Sequence, residues 1–383
     1  MELDLTWVLW ALPVAFVAGW LASRFDVRQW RIESRSAPRS YFKGLNYLLN
    51  EQQDKAIDAF IEAVQQDPDT TDLHFALGNL FRRRGDYDRA VRVHEHLLQR
   101  ADLSTDDRER AQHALAMDFM RAGLLDRAET RLQQLTGTGF EAEAQLALLG
   151  LYERTREWAK AIGVAQALES AQQGSFVHRM AHYGCELAQE AVERGDHAQA
   201  RQHLDQALAL APDSARAHLD AAHLLARSGQ LNQAFEQLIQ LSRLAPSALP
   251  LAARQLAMWG LALDRAAEAR SVLAAAEEHA PSVDHVEALA LLVPEGAEHK
   301  KAALFLKHLS HEPSLVVAAG WLELGRGTEH APPDVVLKAV SKAAIPLRRY
   351  RCAACGFEAG THFWQCPGCQ TWDSYSPRRV DEL

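Results

Sequence analysis

The chain has 383 residues, of which 48% are hydrophobic and 24% charged, and its formal net charge is -9. The length is too great for one ordinary core, and the composition excludes disorder over most of the chain. The net negative charge argues against nucleic acid as the principal partner.

The first predicted element is a membrane anchor over residues 1–23. Residues 5–22 form an uncharged, apolar run of 18 residues. As a helix this run would be about 27 Å long, which matches the hydrocarbon thickness of a bilayer. A cleaved signal peptide is the alternative interpretation. Such peptides begin with basic residues, whereas Glu2 and Asp4 precede this run, so we expect a retained anchor.

A basic linker over residues 24–36 follows the anchor. Six basic side chains come after the apolar run, namely Arg24, Arg28, Arg31, Arg35, Arg39 and Lys43. Only Asp26 and Glu33 oppose them. Because positive charge beside a membrane span marks its cytoplasmic side, we expect a single-pass protein whose body lies on that side.

From residue 37 to residue 325 the sequence repeats with a period near 34 residues, which is typical of the helical hairpins of tetratricopeptide arrays. A small residue recurs where the second helix of each hairpin begins, at Ala56, Ala90, Ala128, Ala161, Ala200, Ala234 and Ala269. Gly85 and Gly123 fall where the turns between helices need a permissive backbone. The pattern predicts an all-α superhelical solenoid of seven repeats, followed after Pro281 by one or two degenerate ones.

The first helices of such repeats line an inner face that binds peptides or other proteins. By similarity to other tetratricopeptide arrays, the partner-binding candidates on that face are Asn79, Arg82, Arg83, Arg121, Arg154, Arg216, Arg227 and Arg254. Each arginine alone is more simply explained as a solvated surface residue. Their shared positive charge favours a partner segment that carries carboxylates.

After a linker and helix over residues 326–346, the chain ends in a predicted metal-binding domain over residues 347–383. Cys352-x2-Cys355 and Cys366-x2-Cys369 have the spacing with which two tight turns present four thiolates to one tetrahedral ion. Two disulfides are the alternative, but the cytoplasm is a reducing compartment. Four sulfur ligands suit one iron or zinc ion, and the sequence does not separate the two metals.

This terminal domain cannot bury a large core, because only ten residues separate the two cysteine pairs. Four aromatic residues are available to cover the metal, namely Phe357, Phe363, Trp364 and Trp372. We expect the domain to fold only with its metal and the helical array to stand without it. A closed shell of four thiolates has no open position for a substrate, so no catalytic residue is predicted. The alternative function is a redox protein that uses the site for electron transfer or sensing.

The most specific part of the sequence is its terminal motif, composed of Tyr350, Cys352, Cys355, Gly356, Phe357, Trp364, Cys366, Pro367, Cys369 and Trp372. With the acidic N-terminus, the apolar run, the basic linker and the repeats, this motif resembles the lipopolysaccharide assembly protein B family of Gram-negative bacteria. The resemblance covers the whole chain. The terminal domain of that family is called rubredoxin-like, although the gap between the cysteine pairs is much shorter here than in a rubredoxin.

The resemblance implies a non-enzymatic adaptor on the cytoplasmic side of the bacterial inner membrane that regulates lipopolysaccharide synthesis. Such an adaptor would present the deacetylase that commits precursors to lipid A to a membrane AAA+ protease for degradation. Other lipopolysaccharide synthesis or transport proteins are further expected partners, and nucleic acid is not. The sequence leaves the oligomeric state open, a homodimer included.

Overall fold

The computed structural model describes residues 14–17, 19–20, 39–325 and 333–383. The predicted basic linker lies outside these ranges, and so does most of the predicted membrane anchor. Within the described ranges, no helix is both long enough and apolar enough to cross a bilayer. The chain separates into two compact units, Met1–Thr155 and Arg156–Leu383.

In the first unit, residues 39–155 form seven helices. They are α1 Arg39–Leu49, α2 Gln53–Gln66, α3 Thr71–Arg84, α4 Tyr87–Gln99, α5 Thr105–Ala122, α6 Leu125–Gln133 and α7 Glu141–Thr155. Neighbours along the chain pack against each other, α1 on α2, α3 on α4 and α5 on α6. A core cluster that includes Ile57, Phe60 and Phe81 fills the space between the first four helices.

The second unit continues the helical pattern and ends in a small sheet. Its helices are α8 Trp158–Ser170, α9 Val177–Glu193, α10 His197–Leu210, α11 Ala215–Arg227, α12 Leu231–Leu244, α13 Leu249–Ala262, α14 Ala266–His279, α15 Val283–Leu291, α16 Glu298–His311, α17 Leu315–Leu324 and α18 Asp334–Ala344. Strand β1 Tyr350–Arg351 then pairs antiparallel with β2 Glu358–Ala359. Short 3-10 helices cover Pro246–Ala248, Pro346–Arg348 and Val380–Glu382.

The recurring small residues explain how the repeats pack. Each of the seven predicted alanines lies in an even-numbered helix from α2 to α14 and is 0% exposed, so a larger side chain would push apart the helices that meet there. Gly85 and Gly123 have φ of +88° and +78°, the left-handed conformation in which α3 and α5 end. The prediction of a tetratricopeptide array is confirmed.

A close approach between α3 and α4 leads to a stability prediction. A Cβ atom at Gly78 would lie 2.5 Å from ring atoms of His94, which is 0% exposed. We expect Gly78→Ala to lower the free energy of unfolding by about 1–3 kcal/mol, because the buried ring has no room to move away. Urea unfolding followed by circular dichroism measures this change.

The matched control for this prediction is Gly150→Ala in α7. A Cβ atom at Gly150 would meet nothing within 4 Å, and a helix interior favours alanine over glycine. The control should therefore be neutral or slightly stabilising. Equal urea midpoints for the two variants would contradict the proposed steric cause.

Candidate metal centre

Two tight turns carry the four cysteines of the terminal domain. In the first turn, the Gly356 amide donates to the Cys352 carbonyl at 2.9 Å, and Gly356 has φ of +78°. In the second turn, the Gln370 amide donates to the Cys366 carbonyl at 2.8 Å. Each turn therefore brings the two cysteines of one pair to the same place, as the spacing of the pairs requires.

The four sulfurs form a compact cluster in which all Sγ atoms lie within 4.8 Å of one another. The sulfurs of Cys352 and Cys369 are 3.8 Å apart, and those of Cys355 and Cys366 are 3.7 Å apart. A tetrahedral ion with metal–sulfur bonds of about 2.3 Å would separate its sulfurs by about 3.8 Å. These donors fit one tetrahedral iron or zinc ion. The same distances are far longer than a disulfide bond, so all four cysteines are free.

Hydroxyl groups favour the thiolate form of two of these cysteines. The Ser374 hydroxyl lies 3.2 Å from Cys352 Sγ and, by donating to the thiolate, lowers the pKa of Cys352 to about 6. The Thr371 hydroxyl lies 3.3 Å from Cys369 Sγ and lowers the pKa of Cys369 in the same way. A thiolate is the form that binds a metal, so these contacts prepare the cluster for one.

Cys355 shows why a cation is needed to ionise the whole cluster. The Phe357 amide lowers the pKa of Cys355, but burial and the sulfurs of the other three cysteines outweigh that effect and raise this pKa to about 12. Four thiolates at such distances repel one another unless a cation lies between them. Metal binding would therefore release protons, and a shell closed by four thiolates would leave no position for a substrate.

Tyrosines, not phenylalanines, cover the buried side of the cluster. Tyr350 and Tyr375 are buried and pack with Cys352 and Cys366, and Leu251 of α13 packs against this group. Phe357 and Phe363 are 44% and 36% exposed, and the expectation that they cover the metal stays a prediction. The bridge between the backbones of Cys352 and Tyr375 places the second tyrosine beside the sulfurs.

Trp372 and Asp373 attach the terminal domain to the helices of the second unit. The Trp372 ring stacks on His182 of α9 with centroids 4.8 Å apart, and it meets Trp158 of α8 edge-on. Both carboxylate oxygens of Asp373 lie 2.9 Å from His182 Nε2, and the His182 side chain is buried. Because these residues follow Cys369 closely, an ordered cysteine cluster also positions them against α8 and α9.

The last residues of the chain cap two helices of the same unit. Asp381 accepts hydrogen bonds from the Leu315 and Val316 amides at 3.3 and 3.0 Å, at the start of α17. Glu382 accepts from the Val283 amide at 2.9 Å, at the start of α15. Carboxylates stabilise such positions because helix N-termini carry unpaired N–H groups and a partial positive charge.

Arg379 strengthens this attachment of the C-terminal residues. Its guanidinium donates to both carboxylate oxygens of Asp284 at 2.8 and 2.9 Å and lies 4.2 Å from the centre of the Tyr350 ring. Nothing in the sequence pattern indicated the contacts of Asp381, Arg379 and Glu382 with α15 and α17, because these partners are 65, 95 and 99 positions away along the chain. No local motif connects such distant residues.

Two of the partner-binding candidates in the first unit, Asn79 and Arg82, form polar contacts within that unit. Arg82 Nη1 lies 2.8 Å from Asp118 Oδ1, and Arg82 Nη2 lies 2.5 Å from Asn79 Oδ1. Asp118 is 0% exposed and also contacts His94 Nδ1 at 2.5 Å. This polar network joins α3, α4 and α5, so Arg82 and Asn79 contribute to the stability of the first unit.

Arg216 likewise forms ion pairs within the second unit. It is 6% exposed and lies 2.8 Å from Glu186 and 3.4 Å from Asp220. Asn79, Arg82 and Arg216 thus each have a polar partner within their own unit, and their role in partner binding stays a prediction. Burial makes such partners necessary, since an unpaired charge in the interior is costly.

Five candidates remain exposed and could meet a partner, namely Arg83, Arg121, Arg154, Arg227 and Arg254. Arg154 donates to the Met120 carbonyl at 3.2 Å. The other four make no ion pair with any residue that the structure describes. Their role in partner binding stays a prediction.

Known families match both parts of the chain. A model of the rubredoxin metal binding domain matches residues 350–377, and tetratricopeptide repeat models match residues 73–109, 113–175 and 191–258. Lipopolysaccharide assembly protein B of Escherichia coli K12 is 33% identical over 381 residues, which cover 96% of this chain and 97% of that protein. This chain belongs to the lipopolysaccharide assembly protein B family.

A second species extends the similarity. Lipopolysaccharide assembly protein B of Haemophilus influenzae is 31% identical over 396 residues, which cover 96% of each chain. Among solved structures, a tetratricopeptide repeat protein from Parabacteroides merdae aligns with 66% of this chain and 97% of its own, with a TM-score of 0.34 and 15% identity. The two curated relatives confirm the resemblance to the lipopolysaccharide assembly protein B family over nearly the whole chain.

Proposed function

We propose that this chain is a membrane-anchored adaptor without enzymatic activity that regulates lipopolysaccharide synthesis. The observation that carries the proposal is the similarity, over 96% of the chain, to proteins named for lipopolysaccharide assembly. The adaptor brings the deacetylase that commits precursors to lipid A to the membrane AAA+ protease that degrades it. It also gathers other lipopolysaccharide synthesis or transport proteins at the cytoplasmic face of the inner membrane.

The chemistry of the four-cysteine cluster supports an adaptor. In the described ranges, these cysteines are the one group of side chains with the spacing of a metal site. A metal held by Cys352, Cys355, Cys366 and Cys369 would supply a rigid cross-link between the two turns. Trp372 and Asp373 would then hold the cross-linked domain against α8 and α9.

Proximity on one membrane is the mechanism by which such an adaptor acts. When one tether holds both client and protease, their encounter becomes intramolecular. The effective concentration of one near the other is then about 1 mM for a short flexible connection. No bond is made or broken by the tether itself. The rate of client degradation then depends on attachment and on client binding, and both can be altered separately.

The exposed arginines are suited to hold the client. Arg83 and Arg121 lie at the C-terminal ends of α3 and α5, where the structure describes no ion pair for either side chain. A client segment that carries carboxylates would supply the missing partners, with charge-assisted hydrogen bonds to each guanidinium. The arginines would thereby contribute to both the affinity and the choice of client.

Charge reversal at this pair should weaken client binding. We expect Arg83→Glu, Arg121→Glu to lower recovery of the lipid A deacetylase in pull-downs from membranes by about tenfold, because attraction is replaced by repulsion. The matched control is Arg92→Glu, Arg131→Glu, which makes the same change of charge on α4 and α6. Equal recovery with the two variants would contradict the assignment of this surface to the client.

A further inference from the structure

One segment of this acidic chain carries only positive charge. Residues 335–357 contain five basic residues and no acidic residue, although the whole chain has a net charge of -9. The basic residues are Lys338, Lys342, Arg348, Arg349 and Arg351. The segment covers most of α18, the 3-10 helix Pro346–Arg348 and the first cysteine pair. Such local segregation of charge marks a surface that meets an anionic partner.

Helix α18 presents a distinct outward face. Leu337 and Ala344 are buried against the rest of the second unit. On the opposite side, Val335 is 79% exposed, and Lys338 and Lys342 follow it at helical positions three and seven residues further on. This face therefore combines an exposed apolar side chain with two exposed cations.

Exposed apolar residues continue at both ends of the helix. Val336 is 46% exposed beside Val335, and Ile345 is 65% exposed where the helix ends. We define the α18 surface as Val335, Val336, Lys338, Lys342, Ile345 and Arg348. A surface that combines exposed apolar side chains with cations is suited to a lipid headgroup layer, where the apolar groups reach the acyl boundary and the cations meet anionic lipids.

The charge of the α18 surface is only partly neutralised within the fold. Arg348 pairs with Glu287 at 2.9 Å, and Arg351 pairs with Glu358 at 2.7 Å. By contrast, Lys338 and Lys342 have no ion pair with any residue in the ranges that the structure describes. The two lysines are therefore available to an anionic partner.

We propose that the α18 surface lies on the anionic lipid headgroups of the membrane to which the chain is attached. This inference rests on the proposed membrane attachment. Lys338 and Lys342 would contact lipid phosphates, while Val335, Val336 and Ile345 would enter the boundary between headgroups and acyl chains. The contact orients the second unit, and it brings the cysteine cluster close to the membrane because Arg348 is only four positions before Cys352.

Lysine footprinting on the full chain tests the proposal. The chain is placed in nanodiscs of phosphatidylcholine alone or of phosphatidylcholine with phosphatidylglycerol, and its lysines are acetylated and followed by mass spectrometry. We expect Lys338 and Lys342 to react about fivefold more slowly in the anionic discs. Lys300 and Lys307, exposed on α16, are internal controls whose rates should not change.

A variant separates lipid contact from other causes of slow labelling. Val335→Asp, Ile345→Asp changes two strongly exposed side chains, so the fold should persist while the apolar contact is lost. Its Lys338 and Lys342 should react as fast in anionic discs as in neutral ones. Slow labelling that survives this change would overturn the proposal.

The remaining outcomes distinguish this inference from the proposed attachment. If the chain elutes with both kinds of disc but Lys338 and Lys342 are acetylated at equal rates in the two, only the proposal for the α18 surface is overturned. A chain that elutes with neither kind of disc contradicts both proposals. Slow labelling that appears in phosphatidylcholine discs only after the deacetylase is added would assign the surface to a protein partner and overturn the lipid assignment.

Discussion

Replacing Cys366 and Cys369 with Ser should release the metal and also loosen helices that are distant in sequence from the cysteines. Metal binding at a structural site contributes roughly 10 kcal/mol or more to folding, so the terminal domain should unfold without it. Asp381 and Glu382 would then leave the starts of α17 and α15. Since loss of one helix cap costs about 1 kcal/mol, we expect amide exchange in those helices to accelerate about fivefold or more.

Hydrogen exchange with mass spectrometry, combined with metal analysis, measures both effects on one sample. Cys185→Ala is the matched control, because Cys185 is a buried cysteine of the second unit that lies outside the cluster. It should retain one metal per chain. Amides of the first unit should be unaffected in both variants. If the metal is lost while α15 and α17 exchange as before, the terminal domain does not brace these helices.

This expectation revises one drawn from the sequence, in which the helical array stands without the metal. The revision comes from contacts that have no local pattern. His182 and Asp373 are 191 positions apart, and Arg379 and Asp284 are 95 positions apart. Neither pair belongs to a motif of fixed spacing. These residues meet because of the packing of the whole second unit. That packing cannot be predicted from local patterns in a single sequence.

Features set by short spacings were predictable. The recurring alanines and the turn residues Gly85 and Gly123 depend on the geometry of one helical hairpin, which repeats along the chain. The cysteine pairs likewise depend on single turns. The arginines were harder to place, because the partner of Arg82 is Asp118 on another helix, and 36 positions separate them. The sequence alone does not distinguish an exposed arginine from one that forms an ion pair within the fold.

Removing residues 1–23 should impair regulation far more than client binding. These residues include the uncharged run that predicts the anchor, and the described repeats and cysteine cluster lie outside them. If the proposed function holds, the truncated chain should stay folded and should be recovered with the deacetylase in pull-downs to the same extent as the full chain. It should lose the gain from colocalisation, which for linked binding events is about 100-fold or more. The deacetylase should therefore accumulate in cells whose only copy of the adaptor is truncated.

The half-life of the deacetylase after a block of protein synthesis is the measurement that tests this. Its control is a chain in which residues 1–23 are replaced by an unrelated transmembrane helix of the same length and orientation. If attachment alone matters, this chimaera should restore rapid turnover. A chimaera that fails while remaining in the membrane would mean that the native segment itself contacts a partner. Normal turnover with the truncated chain would show that attachment is dispensable, and the tethering mechanism would then be wrong.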